Sequence, residues 1–552
     1  MKPLKIEQLD FIKQEVELLS SADYKNFPIV YILHGGKSKK KKAYIGQSVQ
    51  VRNRLNNHLS DKQKNRLDNA VIIAHSHFNQ SATYNIETKL INYFIADQKY
   101  EIINKSQITK SLTHNYYDKP KYDKDIFAYI WNSLREKGLV NNTAVEIENR
   151  DIFKLSPYKE LSESQIYLKN EIIKFCEENI NNDKKAVFFI KGDAGTGKSV
   201  VLSSTINTIQ DLSVDDNSNL YNSKNYLLVN HNEMIKTYET IAESLPNLKK
   251  KNFLKPTSFI NQSKKGKLNA DITLIDEAHL LLTRPDKYNN FKEENHLEEV
   301  IKHSKITVVV FDENQFLKLK SFWSEKLLKK FSKDITTKTF ELTDQFRIRA
   351  SDAIVNWIDD FVNKKVTPLP SNDEKYELKI FENATDMHKA IKEKNEKYEL
   401  SRVVSTFDYE HKKDGADYFV KEPGFKLPWN RTDYKMTWAE EPQTINEVGS
   451  IYTIQGFDLN YVGVILGPSV SYDEKKDELV IISENYKDSE AFRNSNEGKP
   501  HYELSNAKEQ IILNSINVLM KRGVRGLYIY ASDEKLRKTL LKMEGRFYER
   551  LN

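Results

Sequence analysis

The chain has 552 residues, a length that predicts several domains, each with a core of its own. Basic residues (85) slightly outnumber acidic ones (79), and the formal net charge of +6 permits a nucleic-acid partner without requiring one. Aromatic residues form 11% of the chain, whereas glycine (18) and proline (14) are scarce, which excludes a disordered or low-complexity protein.

Cysteine content and hydropathy narrow the class of protein further. Cys176 is the only cysteine, so an intrachain disulfide and a cysteine-based zinc cluster are both excluded, and the apolar helical pattern around it predicts a buried position. The first residues carry acids throughout and lack a continuous apolar segment, so no signal peptide is predicted. Since no apolar run approaches the roughly 20 residues that span a bilayer, we expect a cytoplasmic protein without membrane association.

Residues 1–110 predict a small α+β domain. The β-branched segments PIVYILH, KAYIGQS and AVIIAHSHF are typical of strands, and a helical pattern follows over ATYNIETKLINYFIADQ. The lysine run Lys37–Lys42 falls between the first two strands, either as a solvated hairpin tip or as a loop that contacts phosphate. His75 and His77 share a strand face, but without a third ligand nearby we expect them to pack rather than to bind metal.

An ordered set of polar residues lies on these elements. Tyr31 stands in Val-Tyr-Ile on the first strand, and Tyr44 stands in Tyr-Ile-Gly on the second. The set continues along the chain with Arg54, His58, Glu87 and Asn104. Over roughly residues 27–106, this set resembles the GIY-YIG nuclease family.

The resemblance implies that these residues, Tyr44 among them, form a site for phosphodiester cleavage. In the family's chemistry Glu87 holds a divalent metal, Mg²⁺ or Mn²⁺, and Arg54 stabilises the charge that develops on the phosphoryl group. Tyr31 or His58 assists the deprotonation of water. Ile29 replaces the glycine of the family's first triplet, so a degenerate domain that only binds nucleic acid stays an alternative to an active endonuclease.

The segment 111–155 is polar and rich in tyrosine, asparagine and lysine, and it contains one amphipathic stretch, DIFAYIWNSLREKGL. This pattern predicts a connector with a helix in it. From about residue 156 onward, nearly continuous apolar strands alternate with helical segments, which is typical of parallel sheets covered on both faces. The strands fall into two groups, and we expect one α/β domain over 156–330 and a second over 331–552.

A glycine-rich loop follows the apolar strand AVFFIK and precedes a helical segment, which is the context of a phosphate-binding loop. Backbone N–H groups of such a loop wrap phosphates, Lys198 is expected to reach the β- and γ-phosphates of ATP, and Ser199 is expected to coordinate Mg²⁺. The predicted nucleotide contacts are Gly192, Asp193, Ala194, Gly195, Thr196, Gly197, Lys198 and Ser199.

An acidic pair ends another apolar strand, ITLI, some 80 residues beyond the loop. In a phosphate-loop fold, a carboxylate at this position holds the metal ion, and we assign Asp276 to Mg²⁺. The next acid orients or deprotonates the attacking water, and we assign Glu277 to this general base.

Together these motifs resemble a superfamily 1 helicase core over roughly residues 160–535, and more closely a bacterial Schlafen-like DNA/RNA helicase domain. The resemblance implies two RecA-like lobes, with arginine fingers from the second lobe. The assignments are Gln165 for adenine, Gln315 for sensing the γ-phosphate, Arg347 and Arg522 as fingers, Arg525 as a further nucleotide contact, and Gln455 and Gly456 for the motif that links nucleic acid to nucleotide.

One of these assignments has an open alternative, because Gln165 also completes a capping box with Ser162. The motif around Arg522 departs from the family pattern, since Lys521 replaces the threonine that is commoner before that arginine. Trp429 and Trp438 lie in an insertion where they either stack on bases or pack in the core; packing is the stronger expectation.

The overall expectation is an α/β protein in which a small α+β GIY-YIG-like nuclease domain precedes two RecA-like parallel-sheet lobes. Its cofactors would be ATP and Mg²⁺, and its partner nucleic acid, with DNA favoured over RNA. Such fusions resemble phage-defence proteins. One alternative is a nucleotide-gated sensor that hydrolyses ATP without unwinding and whose amino-terminal domain only binds nucleic acid.

Overall fold

The computed structural model describes residues 4–19, 25–36, 41–104, 116–192, 196–286, 290–311, 335–342, 350–371, 375–412, 414, 416–432, 434, 437–454, 458–489, 491–492 and 501–544, with Lys25, Glu233 and 501–504 as backbone alone.

These residues form two compact units that interleave along the chain. The amino-terminal unit comprises Met1–Ile173, Ser199–Ser223 and Ile235–Phe253. The carboxy-terminal unit comprises Lys174–Lys198, Lys224–Met234 and Leu254–Asn552. The mixed α/β architecture with parallel sheets agrees with the predicted fold class, whereas the domain boundaries inferred from sequence stay predictions.

The amino-terminal unit contains a five-stranded sheet in the order β1-β4-β2-β3-β5. Strands β2 and β3 form an antiparallel hairpin in which Tyr31 lies opposite Gly46, and β4 runs antiparallel to β2. The strands are β1 (Leu4–Asp10), β2 (Lys25–Gly35), β3 (Lys42–Gln50), β4 (Asn69–His75) and β5 (Glu101–Ile102).

Helices line this sheet, and the longest is α3. Asn79 caps it, since its side chain accepts a hydrogen bond from the Ala82 N–H at 2.8 Å, and Gln98 ends it in a left-handed conformation. The first helices are α1 (Lys13–Leu18), α2 (Val51–Leu59), α3 (Gln80–Asp97), α4 (Lys119–Lys121), α5 (Phe127–Glu136), α6 (Ala144–Asn149), α7 (Asp151–Lys154) and α8 (Glu163–Asn179).

Residues 116–155, from the segment predicted as a connector with a helix in it, pack on α3. The Tyr93 ring of α3 lies edge-on to Phe127 at 4.6 Å and to Trp131 at 5.0 Å between centroids. The Asp97 carboxylate accepts backbone hydrogen bonds from Asn141 and Asn142. The predicted amphipathic helix is present as α5, and its apolar face is buried against α3.

The first parallel sheet has the order β11-β6-β10-β9-β7-β8. Its central strands β6, β9 and β10 are buried along most of their length, as the continuous apolar segments predict, whereas the edge strand β11 is largely exposed. The strands are β6 (Ala186–Gly192), β7 (Asn225–Val229), β8 (Phe253–Leu254), β9 (Ala270–Asp276), β10 (Ser304–Phe311) and β11 (Thr336–Leu342). The helices of this part of the chain are α9 (Lys198–Leu212), α10 (Asn232–Ala242), α11 (Pro256–Lys264) and α12 (His296–Lys302).

The second parallel sheet has the order β12-β20-β17-β13-β16 and a core of its own. Its strands are β12 (Glu377–Ile380), β13 (Ser401–Ser405), β16 (Val448–Gly449), β17 (Leu459–Leu466) and β20 (Gly523–Ala531). Two hairpins are inserted, β14–β15 (Phe419–Glu422, Phe425–Pro428) and β18–β19 (Val470–Asp473, Glu478–Ile481). The accompanying helices are α13 (Asp352–Val362), α14 (Ala384–Tyr398), α15 (Ile451–Ile454), α16 (His501–Met520) and α17 (Glu534–Met543).

Several predictions about single residues can be compared with these cores. Trp429 and Trp438 are both buried in the core of the second sheet, so the packing interpretation is the one that the structure favours. Cys176 is buried, as its apolar surroundings predict. None of the helices in the described parts of the chain combines the length and the apolarity that crossing a bilayer requires.

Candidate functional site

The glycine-rich loop leaves the end of β6 and enters α9. Gly197 has a φ of +77°, a left-handed conformation that a glycine adopts without strain, and Lys198 begins the helix. The Lys198 ammonium donates a hydrogen bond to the carbonyl oxygen of Gly192 at 2.6 Å. The lysine therefore lies over the loop, where a phosphate group would be bound. Asp193, Ala194 and Gly195 lie outside the described residues.

Gly192 is required by close packing at the end of its strand. A Cβ atom at this position would lie 2.8 Å from the carbonyl oxygen of Leu342 and 3.2 Å from the hydroxyl of Thr196. Leu342 ends β11, the parallel neighbour of β6 in the sheet, and Thr196 is almost completely buried. Gly192 thus lies close to both the end of β11 and Thr196, and the helix terminus that follows suits a bound triphosphate.

The acidic pair lies at the same edge of the sheet, because β6 and β9 are both parallel neighbours of β10. Asp276 ends β9 and is fully buried. Glu277 adopts a left-handed conformation with φ +51°, and its N–H donates to the Asp276 carboxylate at 3.0 Å. Because of this turn, the two successive carboxylates differ in exposure: Asp276 is buried at the strand end, and Glu277 is half-buried.

His279 contacts the predicted general base, a role that sequence reasoning did not assign to it. Its Nε2 lies 3.0 Å from Glu277 Oε2, and the imidazole is almost completely buried. The helical turn Ala278–Leu280 that follows Glu277 brings the two side chains together. In the sequence, only the position of this histidine in the Asp-Glu-Ala-His string could have indicated its contact with Glu277.

The motif residues of the second sheet are placed by the end of α16 and the start of β20. Arg522 is 1% exposed, and the neighbouring Lys521 donates to the Asp359 carboxylate of α13 at 2.5 Å. The Arg525 guanidinium lies over the ring of Tyr398 at 5.1 Å. The lysine that departs from the family pattern is therefore held inside its own lobe by an ion pair.

Other predicted nucleotide contacts have a mixed outcome. Gln165 forms the capping box with Ser162, since the Ser162 N–H donates to Gln165 Oε1 at 3.1 Å and the Gln165 N–H donates to Ser162 Oγ at 3.2 Å. Its assignment to adenine stays a prediction. The positions that lie outside the described residues are Gln315, Arg347, Gln455 and Gly456.

The amino-terminal unit brings two tyrosines and a histidine together on the β2–β3 hairpin and α2. The Tyr31 hydroxyl lies 2.8 Å from His58 Nε2. The Tyr44 ring is 6.3 Å from the Tyr31 ring and 5.1 Å from the His58 ring between centroids. Gly46 permits this arrangement, because a Cβ atom there would lie 2.4 Å from the Tyr31 hydroxyl oxygen.

Charged groups complete this cluster. Arg54 hydrogen-bonds to Tyr31 and Tyr44, and the bond to Tyr31 raises the pKa of the Arg54 guanidinium. Burial raises the pKa of both tyrosines, and the negative charge of Glu87 on α3 raises them further. Burial, together with Lys64 and Arg54, lowers the pKa of His58 to about 4. At neutral pH the cluster therefore holds a neutral imidazole, a cationic guanidinium and a buried glutamate side chain.

Asn104 joins this region to β5. Its side chain accepts a hydrogen bond from the Ile45 N–H at 3.1 Å and donates one to the Ile45 carbonyl at 2.6 Å. This pair of bonds fixes the strand residue that follows Tyr44. Asn104 thus acts on the cluster through backbone positioning.

The contacts of His75 and His77, near the end of β4, agree with the prediction that these histidines pack against their neighbours. The His77 N–H donates to His75 Nδ1 at 3.1 Å, and the His75 ring contacts Phe78. Among the residues that the structure describes, no group of three or more His, Cys, Asp or Glu side chains is arranged to hold a metal ion.

Comparisons with known proteins identify the larger part of the chain. The uncharacterized protein YPL245W of Saccharomyces cerevisiae is 41% identical over 414 residues, which are 69% of this chain and 90% of the relative. The crystal structure of Pif1 helicase from Candida albicans aligns with a TM-score of 0.29 at 12% identity, covering 71% of this chain and 99% of that one. The family described as Schlafen group 3, DNA/RNA helicase domain, matches residues 185–533. The phosphate loop, the acidic pair and the second parallel sheet all lie in this range, and the chain belongs to the Schlafen group 3 helicase-domain family.

Proposed function

We propose that the protein is an ATP hydrolase that processes nucleic acid and that its amino-terminal domain is a metal-dependent endonuclease. The family supports the first part, because a helicase-like phosphate-loop domain binds ATP and acts on nucleic acid. The observation that carries the second part is the cluster of Tyr31, Tyr44, Arg54 and His58 with Glu87 nearby.

The proposed ATPase roles follow from the residues at the edge of the first sheet. Lys198 neutralises the β- and γ-phosphates, while Ser199 and Asp276 are assigned to Mg²⁺, which offsets charge on the transferred phosphoryl group. Glu277 accepts a proton from water or orients it, and His279 holds this carboxylate in place. Arg347 and Arg522 are assigned to the arginine fingers that stabilise the charge developing during transfer.

The proposed nuclease roles use the amino-terminal cluster. Glu87 is assigned to one divalent metal, which polarises the phosphodiester, and Arg54 supplies positive charge beside it. Tyr31 or His58 assists the deprotonation of water. Ile29 is fully buried in the same core cluster as Tyr31, so the bulk that replaces the family's glycine is directed into the core. This burial favours an active site over a degenerate domain.

ATP hydrolysis is tested with Lys198→Ala and Glu277→Gln in the full chain. Lys198→Ala should lose ATP binding or turnover, because the phosphate charge is no longer neutralised. Glu277→Gln should keep ATP binding but lose turnover by about two to four orders of magnitude, the usual contribution of a general base. The measurements are phosphate release and equilibrium binding of labelled ATP, with and without single-stranded DNA and RNA. Turnover at the wild-type rate in both variants would contradict the assignment.

Nuclease activity is tested with supercoiled DNA and structured RNA in Mg²⁺ or Mn²⁺. Glu87→Gln should abolish nicking, because an uncharged amide of the same size is a poor ligand for a hard divalent cation. ATP hydrolysis by this variant should equal that of the wild type. Nicking that persists in Glu87→Gln would place the activity elsewhere, and nucleic-acid binding without cleavage by the wild type would select a binding domain.

A further inference from the structure

Lys64 contacts the amino-terminal cluster, although no motif includes it. Its ammonium nitrogen lies 3.3 Å from His58 Nδ1 and 4.1 Å from the centroid of the Tyr44 ring. The side chain is 18% exposed. Lys64 therefore contacts two members of the cluster at once, from the side opposite the bond between His58 and Tyr31.

The turn before Lys64 explains this position. The Asp61 carboxylate accepts hydrogen bonds from the backbone N–H groups of Gln63 at 2.8 Å and Lys64 at 3.0 Å, which begins the short helical turn Lys64–Arg66. The same carboxylate lies 4.0 Å from the Lys64 ammonium. The carboxylate and the face of the Tyr44 ring both stabilise the positive charge of Lys64.

This charge determines the direction of the hydrogen bonds. An ammonium group has only N–H donors, so His58 Nδ1 must accept from Lys64. A neutral imidazole then carries its hydrogen on Nε2, from which it donates to the Tyr31 oxygen at 2.8 Å. Tyr31 in turn hydrogen-bonds to the hydroxyl of Tyr44. The hydrogen bonds therefore run in one direction, from Lys64 through His58 and Tyr31 to Tyr44.

We propose that Lys64 is a positioning residue of the amino-terminal site: its ammonium fixes the tautomer of His58 and thereby the direction of the hydrogen-bond chain to Tyr31 and Tyr44. The inference rests on the proposed nuclease function of the same site. Both ring nitrogens of His58 are then engaged, Nδ1 as an acceptor and Nε2 as a donor, so the imidazole orients the Tyr31 hydroxyl. Tyr31 accepts hydrogen bonds from His58 and Arg54, which fix the position of its oxygen in the cluster.

The tautomer is measured directly on the full-length protein with ring-¹⁵N-labelled histidine. The wild-type His58 signal, assigned with His58→Gln, should show a hydrogen on Nε2 and a hydrogen-bonded, bare Nδ1. In Lys64→Met the charge is removed at nearly constant length, and Nδ1 should lose its hydrogen bond or gain a hydrogen. An unchanged ¹⁵N pattern in Lys64→Met would overturn the proposal, whatever the nuclease assay shows.

Cleavage kinetics provide the second readout. Lys64→Met should lower the kcat for nicking by about 10- to 100-fold with KM unchanged, as loss of a residue that orients a site does. Lys64→Arg should recover most of this loss, whereas Lys62→Met, an exposed lysine two residues away, is the matched control. A raised KM with unchanged kcat would mean that Lys64 binds substrate phosphate and would overturn the positioning role. If the wild type fails to nick but the ¹⁵N pattern changes, only the nuclease function fails.

Discussion

At the scale of single residues, Gly46 decides whether the tyrosine cluster can form. It faces Tyr31 across the β2–β3 hairpin, and the Tyr31 hydroxyl occupies the space that any side chain at position 46 would need. Tyr31 is itself fully buried, so it cannot move aside into solvent. The requirement for glycine in the Tyr-Ile-Gly triplet is therefore steric, and this explanation is independent of any family resemblance.

Gly46→Ala should therefore displace Tyr31 and disrupt its hydrogen bond to His58. We expect a loss of stability of about 1–3 kcal/mol, the usual cost of overpacking a core, and a marked loss of nicking. Thermal unfolding and nicking assays measure the two effects. Gln47→Ala, at the next and half-buried position, is the control. If Gly46→Ala nicks like the wild type, Tyr31 has no part in the reaction.

At the scale of secondary-structure elements, α3 joins the cluster to the helices of residues 116–155. One face of α3 carries Glu87, while Tyr93 and Phe94 pack against Trp131 of α5. The indole N–H of Trp131 donates to the Asn142 carbonyl at 2.9 Å. The orientation of α3, and with it the position of Glu87, depends on this aromatic packing.

Trp131→Ala should destabilise the amino-terminal unit by about 3–5 kcal/mol, because a fully buried indole is replaced by a cavity. Denaturant unfolding followed by tyrosine and tryptophan fluorescence measures the loss. Tyr129→Ala on the same helix removes a ring that is 60% exposed and should change stability by less than about 0.5 kcal/mol. Equal stability of the two variants would show that α5 is not packed on α3.

Sequence patterns predict these elements unequally. The hairpin, the buried parallel strands and the phosphate loop follow from apolar periodicity and glycine spacing, which are local signals. The packing of residues 116–155 on α3 depends on contacts such as Tyr93 with Phe153, between residues far apart in the chain. Lys64 and His279 were missed as site residues for the same reason, since a lone lysine or histidine has no distinguishing pattern.

At the scale of the whole molecule, one chain carries two proposed activities. The phosphate-loop helix α9 begins at Lys198, and from Ser199 onward it belongs to the amino-terminal unit. This continuity of a helix gives the nucleotide state a covalent route to the unit that carries the tyrosine cluster. We therefore expect ATP binding to change the rate of nicking.

The test compares Glu277→Gln, which should trap ATP, with Lys198→Ala, which should not bind it productively. On one substrate, at equal metal concentration and with ATP present, their nicking rates should differ at least about fivefold, the lower range of allosteric coupling. Glu277→Gln without ATP is the internal control. Equal rates at equal substrate binding would mean that the two activities are independent.

Because the amino-terminal unit is built from three separate segments of the chain, the gene cannot be cut once to encode this unit by itself. The polypeptide passes between the two units after residues 173, 198, 223, 234 and 253. A gene that is divided at any one of these points yields no fragment that contains the whole amino-terminal unit without residues of the other. A transcript that ends near codon 173 therefore encodes every residue of the tyrosine cluster, from Tyr31 to Asn104, but only the first of the unit's three segments.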